Sequence, residues 1–177
     1  YIDFQFRRSN GQGKHRMKIR VGFGYDVHQL KEGRSCRLGG VLFESDLGPD
    51  GHSDADVLLH AVCDAILGAA GLRDIGFHFP NTDDSFKGAD SRDLLDEVVI
   101  LMTEKGWTIG NIDATLVSEV PKISPKIQEI KESIASRCNI EPDDVGVKAT
   151  TSEKLGFVGK KEGIEAYAVV LINSTNG

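Results

Sequence analysis

Three cysteines, at positions 36, 63 and 138, are too few and too scattered to staple a fold. Their number is odd and no CxxC pair occurs, so small buried thiols in a reducing compartment are expected. No apolar run approaches the roughly 18 residues of a membrane span, and the first sixteen residues lack the apolar core of a secretory signal. Cationic excess is missing as well. The formal net charge is −6; residues 1–16 carry Arg7, Arg8, Lys14 and Arg16 against Asp3, a net +3, which leaves −9 on the remaining 161 residues. So acidic a body has no surplus with which to neutralise a nucleic-acid backbone. A phosphate-bearing ligand would have to be held by a metal and a few local lysines. Internal repeats and low-complexity segments are absent too. What is there is a 177-residue chain, 40% hydrophobic and 27% charged, long enough for one domain with its own core. Met17-Lys18-Ile19-Arg20 reads as a native start, so 17–177 is expected to be the domain and 1–16 an appended extension or residual leader.

From Ile19 the apolar residues Ile19, Val21, Phe23, Tyr25 and Val27 alternate, the period of a strand with one face buried. Asp26 and His28 then fall near its C-terminal end on the opposite face. A second strand is expected over 37–43, and Gly-Pro-Asp-Gly within 47–51 signals a loop. Ser53 has the character of a helix N-cap, with Asp54 and Asp56 in the first turn and the helix ending near Ala70 before Gly71. On that helix Asp56, His60 and Asp64 share one face at i, i+4 and i+8, a polar stripe that a site would explain. Residues 72–89 hold no clear regular element, and a loop that long is uncommon unless functional. A second helix is expected over 91–105, capped by Asp90 and stopped by Gly106, followed by a strand over 107–120 with a turn at Gly110-Asn111. Ser124-Pro125 opens a third helix with Ile127, Ile130, Ile134 and Cys138 as its buried stripe, and strands follow over 145–148 and 163–172. The expected architecture is a single α/β domain of the α+β type: a mixed four- to five-stranded sheet with helices mainly on one face.

Two stretches carry the chemistry, Gly24-Tyr25-Asp26-Val27-His28 and His52-Ser53-Asp54-Ala55-Asp56-Val57-Leu58-Leu59-His60. They offer one carboxylate and two or three imidazoles. A lone histidine is more often a structural one satisfied by backbone. Here each has an acidic neighbour at strand or helix spacing, and three such ligands with one vacancy mark a catalytic zinc site. Spacing leaves the third ligand open between His52 and His60. His60, deeper on the helix face, is the preferred ligand, and His52, just ahead of the helix N-terminus where anions are favoured, the preferred substrate contact. Lys148-Ala149-Thr150-Thr151-Ser152-Glu153-Lys154 sets three hydroxyls between two lysines, ahead of Leu155-Gly156-Phe157-Val158-Gly159-Lys160-Lys161. A solvated turn is the plain reading. A phosphate cradle is the functional one, with Glu153 acceptable beside phosphate if it holds a divalent cation. Together the two groups suggest metal-assisted chemistry on a phosphate ester or anhydride.

With Asp74-Ile75-Gly76, Phe79-Pro80-Asn81-Thr82-Asp83, Lys87-Gly88-Ala89-Asp90-Ser91-Arg92, Gly110-Asn111-Ile112-Asp113 and Pro121-Lys122-Ile123 added in order, the chain from about Lys18 to Ile172 resembles the 2-C-methyl-D-erythritol 2,4-cyclodiphosphate synthase family. The resemblance implies a homotrimer with active sites between subunits, and a lyase of non-mevalonate isoprenoid synthesis. There the 2-phosphate of 4-diphosphocytidyl-2-C-methyl-D-erythritol 2-phosphate attacks its own β-phosphorus and expels CMP. By position it makes Asp26, His28 and His60 the Zn²⁺ ligands and Glu153 the holder of a second divalent cation, Mg²⁺ or Mn²⁺. His52 and Thr151 become the catalytic pair, and Ser53 the contact to methylerythritol. Ser118, Pro121, Lys122, Ile123, Ser124, Thr150 and Thr151 become the cytidine pocket. Val27, Asp74, Ile75, Gly76, Phe79, Pro80, Asn81, Thr82, Asp83, Ser152, Phe157 and Lys160 complete the substrate contacts, along with Asp26 and His28. Three positions depart from the family pattern: Asn81 stands for Asp, Lys160 for Arg, and Phe23 for a frequent His. A bacterial cytoplasm is the expected setting, with a plastid as the alternative. Two competing readings are a zinc phosphohydrolase, which would release inorganic phosphate, and a nucleotide- or isoprenoid-diphosphate-binding module whose zinc is closed off by a fourth ligand such as His52.

Overall fold

The computed structural model describes residues 18–175, and the expected extension over 1–16 lies outside them. The first strand, β1 (Ile19–Glu32), turns its faces the other way round from expectation. Ile19, Val21, Phe23, Tyr25 and Val27 are exposed, while Gly22, Gly24, Asp26 and His28 point inward. Alternation defines two faces without saying which one the chain's own helices cover. Here helix α1 (Val57–Ala70) lies on the glycine face. A Cβ built on Gly24 would sit 1.9 Å from the Ala61 carbonyl oxygen, and one on Gly22 would sit 1.9 Å from that of Ala65. Ala61, Ala65 and Ala69, one helical turn apart, present the matching small surface. Backbone therefore packs directly on backbone.

The segment ahead of α1 differs from the sequence reading in three ways. The strand expected over 37–43 is a hairpin of β2 (Cys36–Leu38) and β3 (Val41–Phe43). Gly39 and Gly40 turn it with φ of 61° and 81°, a region glycine enters freely. Residues 47–50, read as loop, form the edge strand β4 (Leu47–Asp50), antiparallel to β1 with Asp50 opposite Gln29. Pro49 is tolerated there because the strand is at an edge. Finally, α1 starts at Val57 with Asp56 as its N-cap, not Ser53. The buried Asp56 carboxylate accepts the N–H groups of Leu59 (3.1 Å), Gly39 (2.8 Å) and Gly40 (2.6 Å), tying the β2–β3 turn to the helix start. Burial raises its pKa to about 6 against the pull of those backbone bonds.

After α1, the stretch expected to be irregular contains two single turns, α2 (Ile75–His78) and a 3₁₀ turn at Asp84–Phe86. α3 (Ser91–Glu104) is capped by Asp90 as the sequence indicates. β5 (Trp107–Val117) ends short of residue 120 and accommodates Gly110 as a bulge rather than a turn. α4 (Ile127–Cys138) follows a 3₁₀ turn at Ser124–Lys126, so Ser124 does not cap it, but Ile130, Ile134 and Cys138 are buried as their spacing requires. β6 (Val145–Thr150), the short α5 (Gly156–Gly159) and β7 (Gly163–Ser174) complete the order. The sheet runs β4-β1-β7-β5-β6, with β5–β6 its parallel pair among the described residues. α1 covers β1, β7 and β5; α3 packs on α1, and α4 on α3 and β6. The result is one α/β domain with a mixed five-stranded sheet and its helices on one face.

The glycine contact yields a graded expectation. Gly24→Ala should cost about 3 kcal/mol or more, because backbone atoms cannot yield to the new methyl. Gly33→Ala meets nothing within 4 Å and strains only its φ of 73°, so it should cost about 1 kcal/mol. Urea unfolding of the two variants measures the difference.

Candidate active site

β1 and α1 bring together what their sequence separates. Asp26 Oδ2 lies 2.9 Å from His28 Nε2 and 3.0 Å from His60 Nδ1, and the two nitrogens are 3.1 Å apart. A tetrahedral zinc, with bonds of about 2.0–2.2 Å, holds its ligand atoms about 3.3 Å from one another, close to the edges of this triangle. The chemistry of the donors fits as well. His28 Nδ1 lies 3.1 Å from the Asp50 carbonyl oxygen, which can only accept, so neutral His28 carries its proton there and aims the Nε2 lone pair inward. A lone pair and a carboxylate oxygen facing each other this closely call for a cation between them. Asp26, His28 and His60 are therefore a group fit to hold a metal ion, with His60 rather than His52 as the third member.

Burial pushes the Asp26 carboxyl up, but His28 and His60, which can donate to it and carry charge once protonated, outweigh burial and bring its pKa down to about 2. For His28, burial works against the charged ring, yet the hydrogen bond and charge of Asp26 leave its pKa raised. Of the polar stripe on α1, His60 alone faces the metal group. Asp56 is the cap described above, and Asp64 Oδ1 accepts the Ile75 N–H at 2.7 Å, holding the Asp74-Ile75-Gly76 segment against the helix.

Asp26, His28, Gly51, His52, Ser53, His60, Ile75, Gly76, Phe79 and Asn81 line a cavity of about 200 Å³, with Phe86 and Leu94 as apolar wall. Gly51, Phe86 and Leu94 were not singled out by sequence, and neither a spacing nor a chemical signal marks them. The His52-Ser53-Asp54 segment is pinned by the backbone just ahead of α3: Gly88 N–H donates to His52 O at 2.8 Å and Asp54 N–H to Ala89 O at 3.0 Å. His52 Nε2 lies 3.3 Å from the Asp83 carbonyl oxygen. With α1 starting at Val57 and Asp56 capping it, His52 does not stand at a helix N-terminus, so that part of the sequence argument falls. Asp74 is occupied as the cap of α2, Asp83 as the cap of the following turn, and Val27 points to the opposite face of the sheet.

The remaining candidates gather elsewhere. Ser118, Pro121, Lys122, Ile123, Ser124, Thr150 and Thr151 line a second cavity of about 330 Å³ with Leu116, Glu119 and Ala149. Glu119, which the sequence reading did not single out, organises the loop after β6. Its Oε1 accepts from Ser152 N–H, Ser152 Oγ and Lys154 N–H at 3.3, 3.3 and 3.1 Å. Glu153 and Lys154 take φ of 53° and 62°, an uncommon conformation for such residues, and Glu153 receives the Thr151 hydroxyl at 3.2 Å. Phe157 covers Gly163, and Lys160 is exposed. The two cavities do not meet within the chain. Val27, Glu165, Val117 and Thr150 form one row across β1, β7, β5 and β6, so the two groups stand three strand spacings apart, about 14 Å.

The donor triangle, open toward a cavity, places the chain among α/β proteins with a group fit to hold a metal ion at the edge of a pocket. Comparison narrows that class. Residues 19–173 match the YgbB family. The 2-C-methyl-D-erythritol 2,4-cyclodiphosphate synthase of Cytophaga hutchinsonii is 61% identical over 156 residues, covering 88% of this chain and 98% of that protein. Among solved structures, the bifunctional IspDF of Campylobacter jejuni superposes with a TM-score of 0.88 at 40% identity, over 91% of this chain and 44% of that one. The IspF–CDP complex of Plasmodium falciparum gives 0.79 at 37% identity, over 89% and 97%. The chain belongs to the YgbB family of 2-C-methyl-D-erythritol 2,4-cyclodiphosphate synthases.

His60→Ala should abolish stoichiometric zinc uptake while His52→Ala retains it; metal analysis after dialysis distinguishes them. Zinc affinity should also fall with pH. The raised pKa of His28 lets protons compete from above the ordinary imidazole value of 6.5, whereas Asp26, at about 2, stays ionised. Chelator competition between about pH 8 and about pH 5.5 should show weaker binding at the acid end and proton release on binding.

Proposed function

We propose that each working site is composite, joining the metal cavity of one subunit to the loop cavity of its neighbour in a homotrimer. The activity itself follows from family membership: the protein forms 2-C-methyl-D-erythritol 2,4-cyclodiphosphate and CMP from 4-diphosphocytidyl-2-C-methyl-D-erythritol 2-phosphate, as a phosphorus–oxygen lyase of isoprenoid synthesis. An oxygen of the 2-phosphate bonds to the β-phosphorus, the bond from that phosphorus to the bridging oxygen breaks, and CMP leaves with the electron pair. The nucleophile is already part of the substrate, so the protein's work is positioning and charge neutralisation.

The observation that carries the metal reading is the convergence of Asp26, His28 and His60, and zinc bound there would polarise the diphosphate as a Lewis acid. Around it, His52 and Ser53 reach the transferring phosphate and the methylerythritol hydroxyls, and Ile75, Gly76 and Phe79 shape the wall. In the loop cavity, Ser118, Lys122 and Ser124 with Thr150 grip the cytidine monophosphate, a role that accords with the CDP bound by the Plasmodium falciparum relative. Thr151 stabilises the charge that develops on the phosphates, Glu153 would hold a second divalent cation that adds to the charge neutralisation, and Ser152, Phe157 and Lys160 frame the loop.

Two features support the trimer. The metal and loop cavities are separated within one chain. And the sheet face away from the helices exposes Val21 (64%), Phe23 (63%) and Tyr25 (40%) beside Val169 (42%), an apolar row of the kind that marks an interface. The relatives named above from bacteria point to a bacterial cytoplasm.

Incubation with substrate and metal should yield CMP and the cyclic diphosphate in equal amounts. Inorganic phosphate would instead indicate a hydrolase, and no turnover with zinc bound would favour a binding module. The composite site has its own test. His60→Ala and Thr151→Ala should each be nearly inactive, but after subunit exchange an equal mixture should regain about a quarter of wild-type activity, the fraction of interfaces receiving both intact halves. A mixture as inactive as its components overturns the inter-subunit site.

A further inference from the structure

The structure assigns Ser91 and Asp54 as positioning residues that fix the tautomer of His60 and so decide which of its nitrogens is offered to metal. Ser91 is fully buried at the first position of α3, with its hydroxyl 2.9 Å from His60 Nε2 and 2.5 Å from Asp54 Oδ1. A hydroxyl has one proton, and a carboxylate oxygen can only accept it, so Ser91 donates to Asp54. Toward His60 it has only a lone pair left. His60 Nε2 must therefore carry the ring proton and donate it to Ser91, which leaves the Nδ1 lone pair aimed at Asp26 and His28.

Asp54 is held for this task. Its Oδ1 also takes the Asp56 N–H at 3.3 Å, and its own N–H is bound to Ala89 O. Its Oδ2 is buried without a hydrogen bond, and Arg37 Nε, 3.5 Å away, supplies the countercharge. Ser53 Oγ, 3.2 Å from the same nitrogen, takes the Ala55 N–H and is free to turn either way, so it cannot set the tautomer. Outer partners of this kind commonly orient metal-ligating imidazoles. This one explains why the segment Ala89-Asp90-Ser91, which touches no metal, lies beside the site.

The inference rests on the metal reading above, but its first test needs no metal. In metal-free wild-type protein, long-range ¹H–¹⁵N spectra at a pH where His60 is neutral should show the Nε2–H tautomer. Ser91→Ala should give a mixture with substantial Nδ1–H, and zinc binding by chelator competition should weaken about 10- to 100-fold. Asp54→Asn, which keeps Ser91 in place but removes the charge that captures its proton, should move both readouts in the same direction and serves if Ser91→Ala does not fold. An unchanged tautomer in a folded variant overturns the assignment, even if zinc binding weakens. Failure of wild-type protein to bind zinc would instead count against the metal reading and leave the tautomer result standing.

Discussion

The contact on which the rest of the structure depends is the one between the backbone of β1 at Gly22 and Gly24 and the backbone of α1 at Ala61 and Ala65. With no Cβ between them, helix and strand approach closely enough for an imidazole projecting from the helix to meet a carboxylate and an imidazole projecting from the strand. A single methyl at Gly24 would stand 1.9 Å from a carbonyl oxygen. The metal group is thus a product of packing as much as of ligand choice. His60 can reach Asp26 because nothing larger than hydrogen separates their elements two residues up the strand.

A second layer of order lies outside that triangle. Asp50 presents its carbonyl to His28, Asp64 secures Ile75, Asp56 ties the β2–β3 turn to α1, and Asp54 takes the Ser91 proton. All four are aspartates outside the Asp26/His28/His60 group. Some of the chain's 27 acidic residues, which from composition say only that nucleic acid is a poor partner, serve as local scaffolding. The carboxylates of Asp54, Asp56 and Asp64 satisfy hydroxyl or backbone donors, whereas Asp50 acts through its backbone carbonyl.

Much of the site was legible from residue type and spacing. Asp26 and His28 two apart on a strand, and His60 on the helix after it, were placed correctly because side-chain periodicity is a strong constraint. The helix α3 with its Asp90 cap, and α4 with its buried Ile130, Ile134 and Cys138, were legible in the same way. What could not be read was which side of β1 faces inward. An apolar row normally signals the core, but the smallest possible residues on the other side were the true mark of a close helix. The cap of α1 was misplaced because Ser53, Asp54 and Asp56 are all good caps, and the choice among them was made by Gly39 and Gly40, distant in sequence. Edge strand β4 was hidden by its Gly-Pro-Asp composition, which local propensity assigns to a turn and which pairing with β1 overrides. The separation of the two cavities is likewise a property of strand order, which no local pattern reveals.

β1 carries its metal ligands and its exposed apolar row on alternate residues of one unbroken strand, paired along eleven positions with β7. Its reading frame is therefore shared by two unrelated requirements. Loss or gain of one residue between Ile19 and Asp26 would put phenylalanine and tyrosine under the helix and glycines on the outside, erasing the ion site and the apolar face in one step. Substitution can adjust either face by itself. Insertion and deletion cannot, so the length of this strand is not free to drift.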